Sequence, residues 1–162
     1  MPILGGQSLA GVFDAMFASF VPLYADQVGT DGSPVLVTFG PPGQDQPSAI
    51  VAIMDTRTLI TRPTLGTGRS REMAAEIDVT FSVYTQGDET TQQTSTDCAL
   101  GLLTVLESNL RTSPNERLGG VARDAWVSAA NVAGTVAVDP DSGNPAGRVC
   151  TVEAVVTALI RY

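Results

Sequence analysis

Four of the nine arginines, Arg57, Arg62, Arg69 and Arg71, fall within residues 55 to 71, and three acids, Glu72, Glu76 and Asp78, follow at once. Arginine is a permanently charged planar fork that grips carboxylates or phosphates. The stretch TLGTGRS, 64 to 70, adds two glycines, which give a backbone freedom to fold closely around a partner. Residues of these types could cradle a phosphate, run acid chemistry, or hold a neighbouring protein.

The phosphate loop fails on spacing and context. Its pattern is G-x-x-x-x-G-K-[ST], with lysine on the phosphates, a strand before it and a helix after it. With Gly68 as the second glycine, the first falls on Pro63 and the lysine on Arg69. The best strand pattern of the chain comes directly after the segment, not before it. Paired acids can hydrolyse glycosides, but Glu72, Glu76 and Asp78 alternate along one face of that strand. No second acid-bearing loop or aromatic sugar platform accompanies them. They read as a solvated sheet face, or as acceptors for the loop arginines of a neighbour.

Composition narrows the chemistry further. The chain has no histidine and no lysine, so it lacks the commonest general base, the commonest neutral metal ligand and the Schiff-base amine. Cys98, or a serine, has no histidine to activate it. Cys98 and Cys150 form no CxxC pair and read as two buried small side chains in a reducing setting. The acidic turn DPDSGNP, 139 to 145, lacks the spacing of a calcium loop. No cofactor or metal is expected. A net charge of −8 has the wrong sign for a surface that binds nucleic acid through its phosphates. With 43% hydrophobic and only 16% charged residues, the chain folds and keeps much neutral surface, as suits a subunit that buries its flanks against copies of itself. The N-terminus lacks the basic opening of a secretion signal. The longest apolar stretch, 9 to 24, is interrupted by Asp14 and Pro22, so no membrane span is expected.

The elements that would position these residues follow from periodicity. Leu9, Val12, Phe13, Met16, Phe17 and Phe20 form an apolar helical stripe within a helix from Ser8 to about Ala25. Two short strand patterns, 35 to 39 and 49 to 54, flank the turn GPPGQDQP and suggest a long-looped hairpin. Residues 55 to 71 lack apolar rhythm and read as a loop arm. From Glu72 to Tyr84 apolar and polar residues alternate, the mark of a strand buried on one side. A second helix falls within 88 to 112, firmly apolar only in its second half. Residues 117 to 139 give a turn and then strand material with a break near Gly134, residues 139 to 147 a turn, and residues 149 to 161 a last strand. The order predicts a single α+β domain over 1 to 162: a largely antiparallel, mixed sheet with two helices on one face and the long arm.

With this order, two segments carry a family resemblance: the strand R-x-x-x-E-I-D-V-x-F-x-V-Y, Arg71 to Tyr84, and the helix ALGLLTVLESNL, Ala99 to Leu110, followed by R-L-G-G-V, Arg117 to Val121. Over roughly residues 8 to 161 the chain resembles the tail terminator proteins of long-tailed phages and related neck proteins. The resemblance implies a structural virion protein and not an enzyme. It implies a ring of this chain, usually six copies, assembled in the host cytoplasm and residing in the tail neck. Such a ring caps the tail tube protein and joins it to the head-completion or connector protein, while DNA passes through without specific binding. Arg57, Arg62, Arg69, Arg71, Glu72, Glu76 and Asp78 are then candidates for contact with a neighbour or the tube. Another neck or minor tail protein, such as a head-closure stopper, would share these features. An enzyme using Glu76 or Asp78 with an arginine is the alternative from a different class.

Overall fold

The computed structural model describes residues 9–43, 46–60, 72–113 and 115–161. Helix α1 spans Leu9–Leu23, and strands β1 and β2 span Leu36–Phe39 and Ala49–Ile60. Strand β3 spans Glu72–Gln86, helix α2 Gln92–Leu110, and strands β4 and β5 Asp124–Val138 and Pro145–Arg161. The five strands form one sheet in the order β1-β2-β3-β5-β4. The fold is the expected single-domain α+β arrangement, a mixed sheet with two helices.

Alternation dictates the two faces. On β3, Ala75, Ile77, Val79, Phe81 and Val83 are fully buried, and on β5 so are Cys150, Val152, Val156, Ala158 and Ile160. These residues point to the helices. From α1 come Val12, Met16 and Phe20, with Tyr24 just past its end, one residue every turn, and from α2 come Ala99, Leu102, Leu103, Leu106 and Leu110. Burial of each large side chain stabilises by about 1.5–3 kcal/mol. The first half of α2 is polar, and Ser95 is its only buried residue before Ala99. The Tyr24 hydroxyl donates to the Leu102 carbonyl at 3.0 Å and so ties the end of α1 to α2. Burial pushes its phenol well above its ordinary value.

Two strands depart from expectation. β1 and β2 do not form a hairpin: they run parallel, Leu36 beside Ile50 through Phe39 beside Ile53. The reason lies just before each strand. The Asp31 carboxylate accepts from the Ser33 amide, from the Ser33 hydroxyl and from the Ser48 hydroxyl. Ser33 leads into β1 and Ser48 into β2, so one carboxylate holds both strand starts at the same end. The Ser48 carbonyl also accepts from the Tyr84 amide at 2.7 Å, and the Thr30 hydroxyl donates to the Tyr84 carbonyl at 2.7 Å. β2 also runs further than expected. Residues 55 to 60 belong to this strand and not to a loop, and a register shift between Ile53 and Thr56 breaks the period-two pattern that would have revealed them. Residues 61 to 71 of the expected arm, and Ser8, the expected start of the first helix, lie outside the described residues.

The second hairpin also differs in detail. β4 passes Gly134 without a break, and its register shifts lie between Val127 and Ala129 and between Ala137 and Val138. The first of these is held by Ser128, whose hydroxyl donates to the Val155 carbonyl and accepts from Thr157. Gly134 has a packing role instead: a Cβ there would come within 2.7 Å of Gln92 Nε2. The turn before β5 ends at Asn144. At Gly147 a Cβ would lie 2.6 Å from the Thr85 carbonyl oxygen and 2.6 Å from the Tyr84 ring. The R-L-G-G turn puts Leu118, Gly119 and Gly120 all at positive φ, with the Leu118 side chain buried in the core.

Two substitutions test this framework. Tyr24→Phe is expected to lower stability by about 1 kcal/mol, the net worth of one buried hydrogen bond, read as a lower denaturant midpoint with unchanged slope. Asp31→Asn is expected to flatten the acid limb of stability. Its hydrogen bonds to Ser33 and Ser48 lower the carboxyl from 3.8 to about 2 in the folded chain. A depressed folded value contributes stability above the unfolded value, which is lost as pH falls through the folded one. Thermal melts between about pH 4 and pH 2 should therefore fall more steeply for the wild type than for Asp31→Asn, and equal slopes would refute the assignment.

Candidate functional site

The face of the sheet turned away from the helices carries the chemistry that the sequence singled out. The register shift in β2 turns Arg57 onto this face, directly opposite Glu76 of β3. Its Nε donates to Glu76 Oε2 at 2.6 Å, and Nη1 and Nη2 donate to the two oxygens of Asp78 at 3.1 Å each. Glu76 and Asp78 are two apart on one strand, so alternation puts both carboxylates beside the same guanidinium. The bond to Glu76, followed by the charge of Asp78, pushes the guanidinium above its ordinary value. The fork-to-carboxylate geometry is the strong form of such contacts, although half of the Arg57 side chain faces solvent, where screening weakens ion pairs.

The cluster borders a shallow groove of about 440 Å³ across the middle of the open face. β2 contributes Asp55 and Arg57, β3 Asp78 and Thr80, β5 Glu153, and β4 Asn131. A second depression of about 430 Å³ lies toward the Asp31 turn, between Gln46, Ile50, Ser82 and Tyr84. By register the face holds Asp55, Glu76, Asp78, Asp124 and Glu153 around Arg57, and at its end the backbones of Glu72 and Arg161 stand opposite each other. Its remaining positions mix small or hydroxylated residues, such as Thr80, Ser82, Ala129 and Thr151, with apolar ones, Ile50, Val149, Val155, Leu159 and Trp126. A surface of this kind repels polyanions and offers few strong donors to any ligand.

Of the seven residues singled out by sequence, the structure brings together Arg57, Glu76 and Asp78. Arg57 is a strand residue bound to carboxylates of its own chain, not a loop residue free to reach outward. Glu72 begins β3 with its backbone opposite Arg161. Arg62, Arg69 and Arg71 lie outside the described residues. Sequence reasoning missed Asp31, Asp55, Asn131 and Glu153. The T-D-G-S-P turn held the signal for Asp31, since an aspartate two residues before a serine is a common self-bonding turn. Asp55, Asn131 and Glu153 gave no signal, because their proximity depends on which strands pair.

Elsewhere, Asp88 accepts from the Thr90 amide and hydroxyl and caps the turn before α2, and these bonds lower its carboxyl below the ordinary value. Arg148 reaches Glu89 at 3.8 Å from the helix side of β5. Cys150 is buried, but Cys98 is only half-buried on α2, where burial raises its thiol. Among the described residues no three histidine, cysteine, aspartate or glutamate side chains converge as metal ligands. Among the described residues no helix is long and apolar enough to cross a membrane.

The Arg57 cluster makes a clear expectation. Arg57→Ser leaves Glu76 and Asp78 facing one another without a counter-charge. Thermal stability should drop modestly, and the difference from wild type should shrink as salt screens the repulsion. A difference that is independent of salt would assign Arg57 a packing role instead.

The sequence matches no protein-family model, and it matches no curated protein.

Proposed function

We propose that this chain is a structural subunit of a phage tail neck, a tail-terminator-like protein that forms a ring on the tail tube and lets DNA pass through its lumen. The observation that carries this reading is the open sheet face. It is broad and negative, with the five carboxylates of Asp55, Glu76, Asp78, Asp124 and Glu153 around Arg57. Such a face is suited to lining a passage for a polyanion without holding it, since like charge repels and strong donors are lacking. The element order on which the family resemblance rests is also that of the fold. The missing histidines and lysines and the commitment of Glu76 and Asp78 to one guanidinium support a structural role over an acid-based enzyme.

Ring closure by identical subunits is a heterologous contact, in which one flank meets a different flank of the next copy. In this reading the lumen face belongs to the sheet, the outer wall to the helices, and Arg62, Arg69 and Arg71 to contacts with the neighbour or the tube. Arg57 has a different task, because its guanidinium neutralises the two carboxylates beside it. A head-closure stopper or other neck protein would use the same surfaces against a different partner.

The decisive experiment adds the purified chain to polymerising tail tube subunits. Tubes of bounded length, each with a ring at one end and a hole wide enough for duplex DNA, are expected. Tubes that grow unchecked beside unbound chain would refute the terminator role, and a ring found only on the head connector would favour the stopper. Replacing Arg62, Arg69 and Arg71 together by serine should leave the melting curve in place and weaken this co-assembly several-fold, whereas Arg57→Ser alone should leave it near normal. The purified ring should also fail to retain duplex DNA at moderate salt. Retention would contradict the slippery-wall account.

A further inference from the structure

The two edges of the sheet share a property that a monomer in water does not need. β4 is the outermost strand on one side. From Ala125 to Val138 it contains no charged residue and no proline. Natural edge strands of this length are normally blunted by lysine, proline or cover, because their free amides and carbonyls invite another strand. Here the large side chains along the edge are uncovered: Trp126, Val132, Val136 and Val138 are 40 to 56% exposed. The opposite edge is β1, four residues long, with α1 beside it. Phe13 and Phe17, one turn apart on α1, hold Phe39 of β1 edge-on, with ring centroids 4.1 and 5.6 Å away. Phe39 nevertheless stays 53% exposed and Val21, one turn further along α1, 48%. α1 carries one charge, Asp14, in fifteen residues, so its outward side, Ala10, Asp14, Ala18, Val21 and Pro22, is nearly as apolar as its inward side. A helix apolar all round is one that expects cover.

We infer that these two flanks bind each other between copies of this chain: the free β4 edge of one subunit docks on the α1/β1 flank of the next. Three physical points select this occupant. Neither flank carries more than one charge, so their contact desolvates almost no ionic group. The uncharged run of β4, at about 3.3 Å per residue and a sheet thickness of about 10 Å, is a strip of roughly 450 Å² before flanking side chains are counted. The facing flank is shorter, about 22 Å along the 15 residues of α1, so the two share roughly 220 Å² of this strip, and the ~800 Å² per partner of a stable interface takes in the flanking side chains as well. Symmetric pairing of β4 with β4 would cover one flank and leave the other bare on both partners, whereas head-to-tail contact covers both flanks of every chain with a single kind of interface. The flanks lie at opposite ends of one sheet, so successive contacts propagate and keep the negative open faces on a common side. This inference names the partner surface of the ring proposed above and rests on that reading only for the closure of the chain of contacts into a ring.

The test uses two full-length variants. One carries Val132→Lys with Val136→Lys and blocks β4, and the other carries Val21→Lys with Phe39→Lys and blocks the α1/β1 flank. Single substitutions at the most exposed positions, Val138→Lys and Val21→Lys, serve where a double variant melts early. Mass is measured by sedimentation across concentration. The wild type should associate beyond a dimer, and each blocked variant should sediment as a monomer. An equimolar mixture of the two should form a one-to-one dimer and stop there, because each partner retains one complementary flank. A blocked α1/β1 variant that dimerises by itself would overturn the head-to-tail contact in favour of β4 self-pairing. Variants that assemble like the wild type, or a wild type that remains a monomer at its highest attainable concentration, would overturn the assignment altogether. Rings formed equally by wild type and variants would sink these flanks and leave the neck role standing. Complementary dimers from variants whose wild type grows into open filaments would keep the flanks and sink the ring.

Discussion

The molecule depends on one pairing, β3 against β5. Fifteen consecutive residues face each other without a slip, from Glu72 opposite Arg161 to Gln86 opposite Gly147. Side chains alternate with a period of two, so a slip of one residue would carry the core-facing valines and isoleucines of the shifted strand into water and its acids into the core. The cost of that error holds the register. Once β3 and β5 are locked, their joint apolar face offers one surface for both helices, and their polar face is assigned to the other side. The remaining strands add to a decision already made.

Irregularity is confined to the strands on either side of this pair. In β2 the shift after Ile53 turns Arg57 onto the polar face opposite Glu76. In β4 the shift at Ser128 is stabilised by its bonds to Val155 and Thr157. Without the first shift, Glu76 and Asp78 would lack their shared counter-charge and the open face would be more negative still. The bulge thus tempers the field of that face and anchors β2 through a cross-strand ion pair. A face that must neither bind a polyanion nor tear itself apart by self-repulsion has reason to combine an acidic excess with one well-held cation.

The helices and the edges divide the remaining surface. α2 buries its apolar residues against the sheet apart from the exposed Leu100, and its polar first half can stand in solvent. α1 has no such asymmetry, and β4 lacks the charges that protect a free edge. Stability of the single chain does not require these two features. They become understandable together, as surfaces that another subunit covers, and they sit on opposite sides of a sheet whose broad face carries the charge.

Much of this organisation is legible in the residues alone. The alternation from Glu72 to Tyr84 and from Cys150 to Ile160, and the helical stripes through Val12, Met16 and Phe20 and through Leu102, Leu106 and Leu110, identify elements and buried faces. Such patterns are local: each depends on a period read within one segment, and burial enforces it. The polar character of Glu76 and Asp78 followed from the same alternation. What the sequence could not determine is what depends on partners far along the chain. The parallel course of β1 and β2 follows from Asp31 bonding to Ser33 and Ser48, residues on two separate connections. Arg57 was hidden because a bulge resets the period at Met54 and Asp55, so a strand looked like a loop. The groove through Asp55, Asp78, Asn131 and Glu153 exists only because β5 lies between β3 and β4. The sequence by itself determined which residues are inside and which face is charged, because water enforces that segment by segment. Only the tertiary structure decided which strand lies beside which, and therefore which acids share one arginine and which edges stay open, because strand pairing is a contest among distant segments that no local period records.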